Sequence, residues 1–386
     1  MNEPSPEILG LLADLIGFDS VSSRSNRALI EHAAAYLASF GIDAQVLPSP
    51  DGEKASLWAT IGPPIDGGLV LSGHSDVVPV EGQPWSTDPF TMDIRGDRAF
   101  GRGTADMKGF IACALAAAPQ FRDAGLKRPV HIALTYDEEV GCVGAPKLLD
   151  WLSRQSPTPA MALIGEPTSM QVVNAHKGIL VVRATITGVE AHSSLSHLGV
   201  SAIELAAAAV GLLKQIEAEL AEMHSDDRFE PPRATISVNR IGGGTAMNIL
   251  AGQAWFDWDL RSIPGVEPAA VLADFEGRLE SEIVAPARAV HPAVAASIKV
   301  TAEAPPLAPE SEGAAEILAK RILGTNATRA VAYVAEAGQY QQAGMSSILL
   351  GPGSIDQAHK ADEYIALEQL ARCEDFLTRL AKALGS

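Results

Sequence analysis

The stretch LVLSGHSDVVPVEG, residues 69–82, is an apolar run of the kind that forms a buried strand, but it contains two polar side chains that can bind a metal, His74 and Asp76. Short apolar runs bounded by turn residues also occur in ASLWATIG, VHIALTYDEE and PAMALIGE, and they predict further strands. SPEILGLLADLIGF and RALIEHAAAYLASFG carry apolar residues at helical spacing. Alternating helices and buried strands predict an α/β domain whose central, mostly parallel sheet is flanked by helices.

The part of the chain that begins at Gly178 has a different order of elements. It reads as strand, helix, two strands, helix and strand, from ILVVRATITG to SIKVTAEA, and this β-α-β-β-α-β order predicts a self-contained α/β sandwich. A Pro-rich stretch, PPLAPESEG, follows, and helix and strand patterns then resume. We therefore predict a first domain of residues 1–178 and 305–386, whose sheet the last part of the chain completes, and an inserted domain of residues 179–304.

The composition of the chain excludes several classes of partner. The formal net charge is −18 at pH 7 and no long run of Lys and Arg offsets it, so nucleic acid and anionic membranes are not expected partners. The acidic start MNEPSPEILGLLADLIGF lacks the pattern of a signal peptide, and no later segment reaches the length of a membrane span, so we expect a cytoplasmic protein. Three cysteines without C-x-x-C spacing support neither a disulfide framework nor a cysteine zinc site.

Polar side chains interrupt or directly follow several of the predicted strands. A single one of them has an ordinary structural explanation, because strand-terminal carboxylates often cap the next helix and a histidine in an apolar context is often a hydrogen-bonded core residue. Together they would bring two imidazoles and five carboxylates to one edge of a sheet, where the carboxylates would repel each other unless a cation balanced them. The set comprises His74, Asp76, Asp106, Glu138, Glu139, Glu166 and His359.

The donor atoms of this set favour particular metals. Nitrogen and oxygen ligands without a thiolate favour zinc, with manganese or cobalt as substitutes, and more than four ligands suggest two ions that share a bridging carboxylate. Other catalytic sites find no support in the sequence. H-E-x-x-H and G-x-S-x-G are absent, and the glycine-rich GRGTADMKG and RIGGGTAMN lack the spacing of a phosphate or dinucleotide loop.

Several motifs together resemble the dinuclear zinc aminoacylase and carboxypeptidase family of metallopeptidases. They are SGHSDVVPV, WSTDPF, GRGTADMKG, TYDEEVGCVGA, GEPT, HKGILVVRATITGVEAHSS and GPGSIDQAHKADEYI, in the order and approximate spacing seen in that family. The resemblance covers essentially the whole chain. It implies a catalytic first domain that holds two zinc ions, and an inserted domain that serves as a lid and joins two chains in a homodimer.

The resemblance assigns three ligands to each zinc ion, with one carboxylate shared. They are His74, Asp106 and Glu166 for one ion, and Asp106, Glu139 and His359 for the other. Asp76 would accept a hydrogen bond from the His74 imidazole and so fix its ligating nitrogen. Glu138 would be the general base, which takes a proton from water and later delivers it to the departing amine.

The inserted domain contains GVEAHSSLSHLGVSAIE, which matches the lid motif of the family. The resemblance implies that His192 helps to stabilise the oxyanion and, in related dimers, reaches in from the partner subunit. The alternative is that His192 only marks the entry to a helix, with Ser193 or Ser194 as its N-cap.

Two further positions in the inserted domain match residues that contact the substrate carboxylate in the family. They are Asn248 in GGGTAMNIL and Arg261 in FDWDLRSIPG. An arginine fork suits a carboxylate, which an acylated amino acid presents. The alternative is that Arg261 pairs with Asp257 or Asp259.

The activity that the resemblance implies is removal of the acyl group from an N-acyl amino acid, in the first place N-acetyl-L-ornithine. Glu336 in YVAEAGQYQ lies where a carboxylate could pair with the amine of that substrate, although Ala335 replaces the Thr of the family pattern. Succinyl-diaminopimelate, other N-acyl amino acids and dipeptides are alternative substrates. A metal-stabilised binding protein without catalysis is the alternative from another class, and Glu138 argues against it because binding alone needs no general base.

Overall fold

The computed structural model describes residues 3–385, and residues 1, 2 and 386 of the predicted first domain lie outside the described residues. The described chain divides into two compact units. The first runs to Ala175 and includes Leu307–Ala330 and the described residues from Ala335 onward, and the second comprises His176–Pro306 and Val331–Val334. The catalytic and lid roles of the two predicted domains stay predictions.

Within residues 3–385 the backbone forms fifteen strands and ten α-helices. The strands are β1 (Ala44–Pro48), β2 (Ala55–Ile61), β3 (Gly68–His74), β4 (Asp93–Arg95), β5 (Arg98–Phe100), β6 (Val130–Thr135), β7 (Pro159–Ile164), β8 (Val173–His176), β9 (Gly178–Thr187), β10 (Thr235–Gly243), β11 (Gln253–Ser262), β12 (Ala295–Ala304), β13 (Arg329–Val331), β14 (Ser346–Leu349) and β15 (Tyr364–Ala366). The helices are α1 (Pro6–Ile16), α2 (Arg27–Ser39), α3 (Gly109–Asp123), α4 (Ala145–Leu152), α5 (Ala202–Met223), α6 (Pro268–Arg278), α7 (Ala285–Val290), α8 (Ala314–Leu323), α9 (Ala337–Gln342) and α10 (Leu367–Gly385). None of these helices has both the length and the apolar character that crossing a membrane requires.

Eight strands form the large sheet, in the order β1-β2-β6-β3-β7-β14-β8-β13. Strands β6, β3, β7 and β14 run parallel to one another, whereas β1 is antiparallel to β2, β2 to β6 and β8 to β14. Every residue of β3 is buried, as expected for a central parallel strand that is covered on both faces. The predicted α/β fold, with a mostly parallel sheet flanked by helices, is confirmed.

Helix α3 covers the centre of this sheet. It contacts β2, β3 and β6 and packs against helices α1, α2 and α10. Most of its residues are buried, and many of the buried ones are small, so its sequence has no polar face that would predict an amphipathic helix. For this reason the periodicity of GFIACALAAAPQFRD predicts no helix there.

A small antiparallel sheet in the first unit consists of β4, β5 and β15. Tyr364 of β15 pairs with Phe100 of β5, so the segment that precedes β15 adjoins the segment that follows β5. These two segments, residues 359–363 and 101–106, contain two of the predicted metal ligands.

The second unit has a four-stranded antiparallel sheet in the order β10-β11-β9-β12. Alternate residues of β11 are buried, because helices cover one face of the sheet. Trp258 on that face packs edge to face against Phe275 of α6, with ring centroids 5.3 Å apart. The predicted β-α-β-β-α-β order is confirmed, with the short helix α7 added between α6 and β12.

Candidate metal centre

Three parallel strands of the large sheet end side by side, and polar side chains follow each of them. His74 is the last residue of β3, which lies between β6 and β7. Glu138 and Glu139 follow the end of β6, and Glu166 follows the end of β7. Because the carboxyl ends of parallel strands meet at one edge of a sheet, the fold brings these residues together.

Asp106 reaches the same edge from the turn Thr104–Lys108, which precedes α3. Its buried carboxylate lies between two imidazoles, with His74 Nε2 3.0 Å from Oδ1 and His359 Nε2 3.4 Å from Oδ2. The same nitrogen of His359 is 2.9 Å from Oε2 of Glu139. Ligand atoms of His74, Asp106 and Glu139 all lie within 4.8 Å of one another. Asp106 therefore lies between the two imidazoles, with one carboxylate oxygen toward each.

Burial and mutual charge shift the pKa values in this cluster. Burial alone would lower the pKa of His74, but its hydrogen bond with Asp106 and the negative charge of Glu138 raise that pKa well above its usual value. Hydrogen bonds to Asp106 and Glu139 raise the pKa of His359 to about 10. Burial raises the pKa of Glu139 to about 7, and the charge of Asp106 adds to this effect. His74, His359 and Glu139 therefore hold their protons more tightly than usual, whereas, despite the burial of Asp106, the neighbouring imidazoles lower its pKa.

These residues fit a divalent cation. Burial raises the pKa of Glu166 well above its usual value, and the charge of Asp106 raises it further. Oε1 of Glu139 and Oε1 of Glu166 are buried and, within residues 3–385, have no hydrogen-bond partner. Excess negative charge, unpartnered oxygens and a mixed set of nitrogen and oxygen donors are all features that a bound cation would satisfy.

The contact between Asp76 and His74 differs from the prediction. Nδ1 of His74 lies 2.9 Å from the backbone oxygen of Asp76, whereas the Asp76 carboxylate oxygen Oδ1 is 3.7 Å away. The carboxylate instead accepts hydrogen bonds from the backbone N–H groups of Glu138, at 3.2 Å, and Glu139, at 3.3 Å, and from the hydroxyl of Ser22, at 2.7 Å. The loop after β6 turns its N–H groups inward, where they need an acceptor. Asp76 therefore contacts the imidazole through its main chain and holds the glutamate pair with its side chain.

Glu138, the predicted general base, is buried beside the ligand cluster. Burial raises the pKa of its carboxyl well above the usual value, and the charges of Glu166 and Glu139 contribute to the increase. The Sγ of Cys142 lies 3.4 Å from its Oε1. A carboxylate with a raised pKa is suited to accept and return a proton near neutral pH.

Glu336 is buried at the start of α9. Its Oε2 accepts a hydrogen bond of 3.0 Å from the hydroxyl of Thr135, and Thr135 pairs with His74 across β6 and β3. Oε1 has no hydrogen-bond partner among the described residues, and burial raises the pKa of the carboxyl to about 7. Glu336 thus belongs to the same strand edge as the ligands.

His192 lies in the second unit and is exposed. It precedes the turn Ser193–Leu198 and caps it itself, because Nδ1 accepts a hydrogen bond of 3.2 Å from the backbone N–H of Ser194. The predicted alternative placed Ser193 or Ser194 in the capping position. The N–H of Ser193 donates to the backbone oxygen of Asn248 at 2.9 Å. The segments that carry His192, predicted to stabilise the oxyanion, and Asn248, predicted to contact the substrate, are therefore paired.

Arg261, on β11 of the second unit, forms an ion pair with Asp259, one of the two partners named as the alternative to a substrate contact. Its Nε lies 3.0 Å from Oδ2 of Asp259, and the Arg261 side chain is 40% exposed. Asp257 instead receives two hydrogen bonds from Arg183. Because Asp259 binds Nε, the terminal nitrogens of this exposed guanidinium can still bind a second carboxylate.

Sequence reasoning missed several charged residues that hold the loops of the first unit. Lys54 forms an ion pair with Asp137, next to Glu138. Arg102 and Glu363, both buried, pair at 2.8 Å. The motifs GRGTADMKG and GPGSIDQAHKADEYI contain Arg102 and Glu363, respectively. Their position as charged residues inside these motifs is the sequence signal that marks them.

A cation in this cluster could polarise a carbonyl while a nearby carboxylate moves a proton, which is the chemistry of metal-dependent hydrolases. Comparison with known sequences leads to the same class. Residues 70–383 match Peptidase family M20/M25/M40, and the chain belongs to this family of hydrolases.

Two curated relatives match almost the whole chain. Acetylornithine deacetylase from Myxococcus xanthus is 34% identical over 385 residues, which cover 98% of each chain. Acetylornithine deacetylase from Klebsiella pneumoniae (strain 342) is 35% identical over 376 residues, which cover 95% of this chain and 94% of the relative. The family predicted from the sequence motifs is confirmed.

Solved structures share the fold at low sequence identity. An M20 family metallo-carboxypeptidase from Sulfolobus solfataricus has a TM-score of 0.76 and 18% identity, and the match covers 99% of this chain and 100% of that one. A dinuclear metal-binding peptidase of the M20 family from Bacillus subtilis has a TM-score of 0.65 and 17% identity, with 97% of each chain covered.

The pKa of Glu336 predicts a pH-dependent effect on stability. A carboxyl whose pKa rises from 4.5 to about 7 on folding favours the folded state below pH 4.5, and this contribution is lost as the pH rises through 7. Glutamine imitates the protonated form. In chelator-treated protein, Glu336→Gln should therefore raise the free energy of unfolding at pH 8 by up to about 3 kcal/mol and change it little at pH 5.

Urea unfolding at the two pH values measures this effect. Glu31→Gln, on the exposed face of α2, is the matched control for loss of one negative charge and should show no such difference between the two pH values. Equal stability of Glu336→Gln and the unaltered chain at pH 8 would contradict the argument.

Proposed function

We propose that this chain is a dinuclear zinc amidohydrolase that removes the acyl group from an N-acyl amino acid, with N-acetyl-L-ornithine as its substrate. The observation that carries the proposal is the buried glutamate pair after β6. Glu139 lies in the ligand cluster, while Glu138 is buried beside it with a raised pKa. The activity of the curated relatives supports the choice of substrate.

In this proposal each zinc ion has three protein ligands. They are His74, Asp106 and Glu166 for one ion, and Asp106, Glu139 and His359 for the other. When bound, zinc would supply Lewis-acid polarisation of the amide carbonyl and make a water molecule acidic enough to react near neutral pH. The distances from Asp106 to both imidazoles support its role as the shared ligand.

The proton transfers belong to Glu138. Its carboxylate accepts a proton from the attacking water and later gives it to the nitrogen of the departing amine, so that the same group acts first as base and then as acid. The hydrogen bonds from the N–H groups of Glu138 and Glu139 to Asp76 fix the loop that carries it.

The remaining roles concern recognition of the substrate. We assign to His192 a hydrogen bond to the developing oxyanion, and to Arg261 and Asn248 the contacts with the α-carboxylate. Glu336 would bind the side-chain amine of the substrate. Its unpartnered Oε1 supports this last assignment, because an amine would supply the missing donor.

Replacement of the proposed base gives the first test. Glu138→Gln should lower kcat by about 100-fold to 10,000-fold, because glutamine cannot accept the proton, while zinc content stays that of the unaltered enzyme. Turnover of N-acetyl-L-ornithine and metal analysis of the same samples measure both quantities. Near-normal turnover in Glu138→Gln would refute the role, and Glu31→Gln should leave both quantities unchanged.

The substrate is tested with a panel of N-acyl amino acids and dipeptides. N-acetyl-L-ornithine should give the highest kcat/KM. Glu336→Gln should raise KM for it by about tenfold, as expected for one lost charged contact, and should have little effect on N-acetyl-L-norvaline, which has the same carbon chain without the amine. Preference of the unaltered enzyme for succinyl-diaminopimelate or a dipeptide would refute the substrate assignment.

We also propose that two chains form a homodimer through the second unit. Strand β10 is an edge strand of its sheet, and Ile241 on β10 and Ile203 on α5 are exposed large apolar residues. Edge strands and exposed apolar patches are common sites of association.

The mass in solution tests the dimer. We expect twice the 40.4 kDa of one chain, and Ile241→Asp should reduce the mass to that of a monomer because a charge would be buried in the interface. Ile65→Asp, an exposed apolar residue of the first unit, is the matched control and should remain dimeric. A fully active monomer in the unaltered enzyme would disprove this proposal.

A further inference from the structure

The carboxylate of Glu363 is fully buried and accepts four hydrogen bonds. Oε2 accepts from Nη1 of Arg102 at 2.8 Å and from the N–H of Gly103 at 2.9 Å. Oε1 accepts from the N–H groups of Ala105 at 2.9 Å and Asp106 at 3.1 Å. Glu363 therefore holds the backbone of the turn that carries Asp106, and its own charge is paired with that of Arg102.

Arg102 continues this network toward a second segment. It is buried, and its Nη2 donates to Oε1 of Gln83 at 2.5 Å. Nη1 also donates to the backbone oxygen of Lys360 at 3.3 Å, and the guanidinium lies over the ring of Trp85. Arg102 is thus oriented by groups on three sides.

Gln83 completes the connection. Its Nε2 donates a hydrogen bond of 3.0 Å to the backbone oxygen of His359. His359 needs such support, because its φ of 63° lies in the left-handed region that side chains other than glycine rarely adopt. Its side chain is also about half exposed, so packing alone does not fix it. A continuous path of hydrogen bonds therefore joins the backbone of Asp106 to that of His359.

Stability alone does not account for this arrangement. A buried ion pair adds little net stability, because desolvation of both charges offsets their attraction. The network instead fixes geometry, because it joins the segments that carry Asp106 and His359, which are far apart in sequence. Replacement of groups that orient metal ligands typically lowers metal affinity by about 10-fold to 100-fold.

We propose that Glu363, Arg102 and Gln83 are positioning residues that set the separation of Asp106 and His359 and thereby determine the affinity of the metal position that these two ligands share. The inference rests on the ligand sets of the proposed function. The metal position of His74, Asp106 and Glu166 depends on them less, because His74 ends a strand of the large sheet and Glu166 directly follows another.

Gln83→Glu is the sharpest test, since Gln83 is only half-buried. Glutamate keeps an acceptor for Arg102 but replaces the donor to His359 with a second acceptor. We expect one zinc ion to bind as in the unaltered chain and the other to bind about 10-fold to 100-fold more weakly. Titration of metal-stripped protein with zinc against a chromophoric chelator measures both affinities, and the visible spectrum of the cobalt form reports the change of geometry.

Glu363→Gln should weaken the position of Asp106 and His359 most, and the other position less through the shared Asp106, because its amide cannot accept all three N–H groups and the guanidinium. Glu316→Gln is the matched control: Glu316 also pairs with a cation, Lys320, but outside this network, and both zinc affinities should be unchanged. If Glu363→Gln does not fold, Gln83→Glu decides the question. Unchanged affinities in Gln83→Glu, or equal weakening of both ions, would overturn the proposal.

The same titration separates this inference from the proposed function. An unaltered chain that binds two zinc ions but hydrolyses no N-acyl amino acid refutes the proposed activity, and the selective loss in Gln83→Glu still supports the positioning role. An unaltered chain that binds a single zinc ion overturns both.

Discussion

Buried carboxylates repel one another, and the structure places four of them beside two imidazoles at one edge of its sheet. They are Asp106, Glu138, Glu139 and Glu166. The raised pKa values of the three glutamates show how strongly the site favours positive charge, whether as protons or as cations. The fold must hold these groups close despite their repulsion. It does so by placing the three glutamates after strands that lie side by side, where the backbone of the sheet fixes their spacing, and by bringing Asp106 to the same edge on the turn before α3.

Two further acids help to hold the cluster without joining it. Asp76 accepts the N–H groups of the Glu138 and Glu139 loop, and Glu363 accepts those of the turn that carries Asp106. In both cases a carboxylate binds the main chain of a ligand-bearing segment, so its charge is balanced by backbone dipoles and, for Glu363, by a guanidinium. The ligands are therefore positioned through their main chains, which leaves their side-chain oxygens available.

The sequence predicts the central sheet well and singles out the polar residues that the structure brings to one edge of it, because both have local signals. Strand β3 is a continuous apolar run that ends in His74, and a buried parallel strand requires such a run. Helix α3 has no such signal, since burial on nearly all sides removes the polar face that identifies a helix. The motifs mark Arg102 and Glu363 as charged residues, but no sequence pattern predicts the contacts of the network around Glu363. Its bonds join residues about 260 positions apart, so only the folded topology brings them together.

The metal cluster does not specify the substrate. Solved structures with this fold include a metallo-carboxypeptidase and a tripeptidase, so the fold serves hydrolases that differ in what they cleave. Selectivity must come from groups that contact the rest of the substrate. The proposed function gives this part to Glu336, a buried carboxylate with an unpartnered oxygen and a pKa near neutrality. An amine that reaches it gains an ion pair in a low-dielectric setting, whereas an apolar side chain leaves that oxygen without a partner. In the proposed function, the same burial that makes Glu336 costly to ionise would therefore make it selective for a cationic substrate.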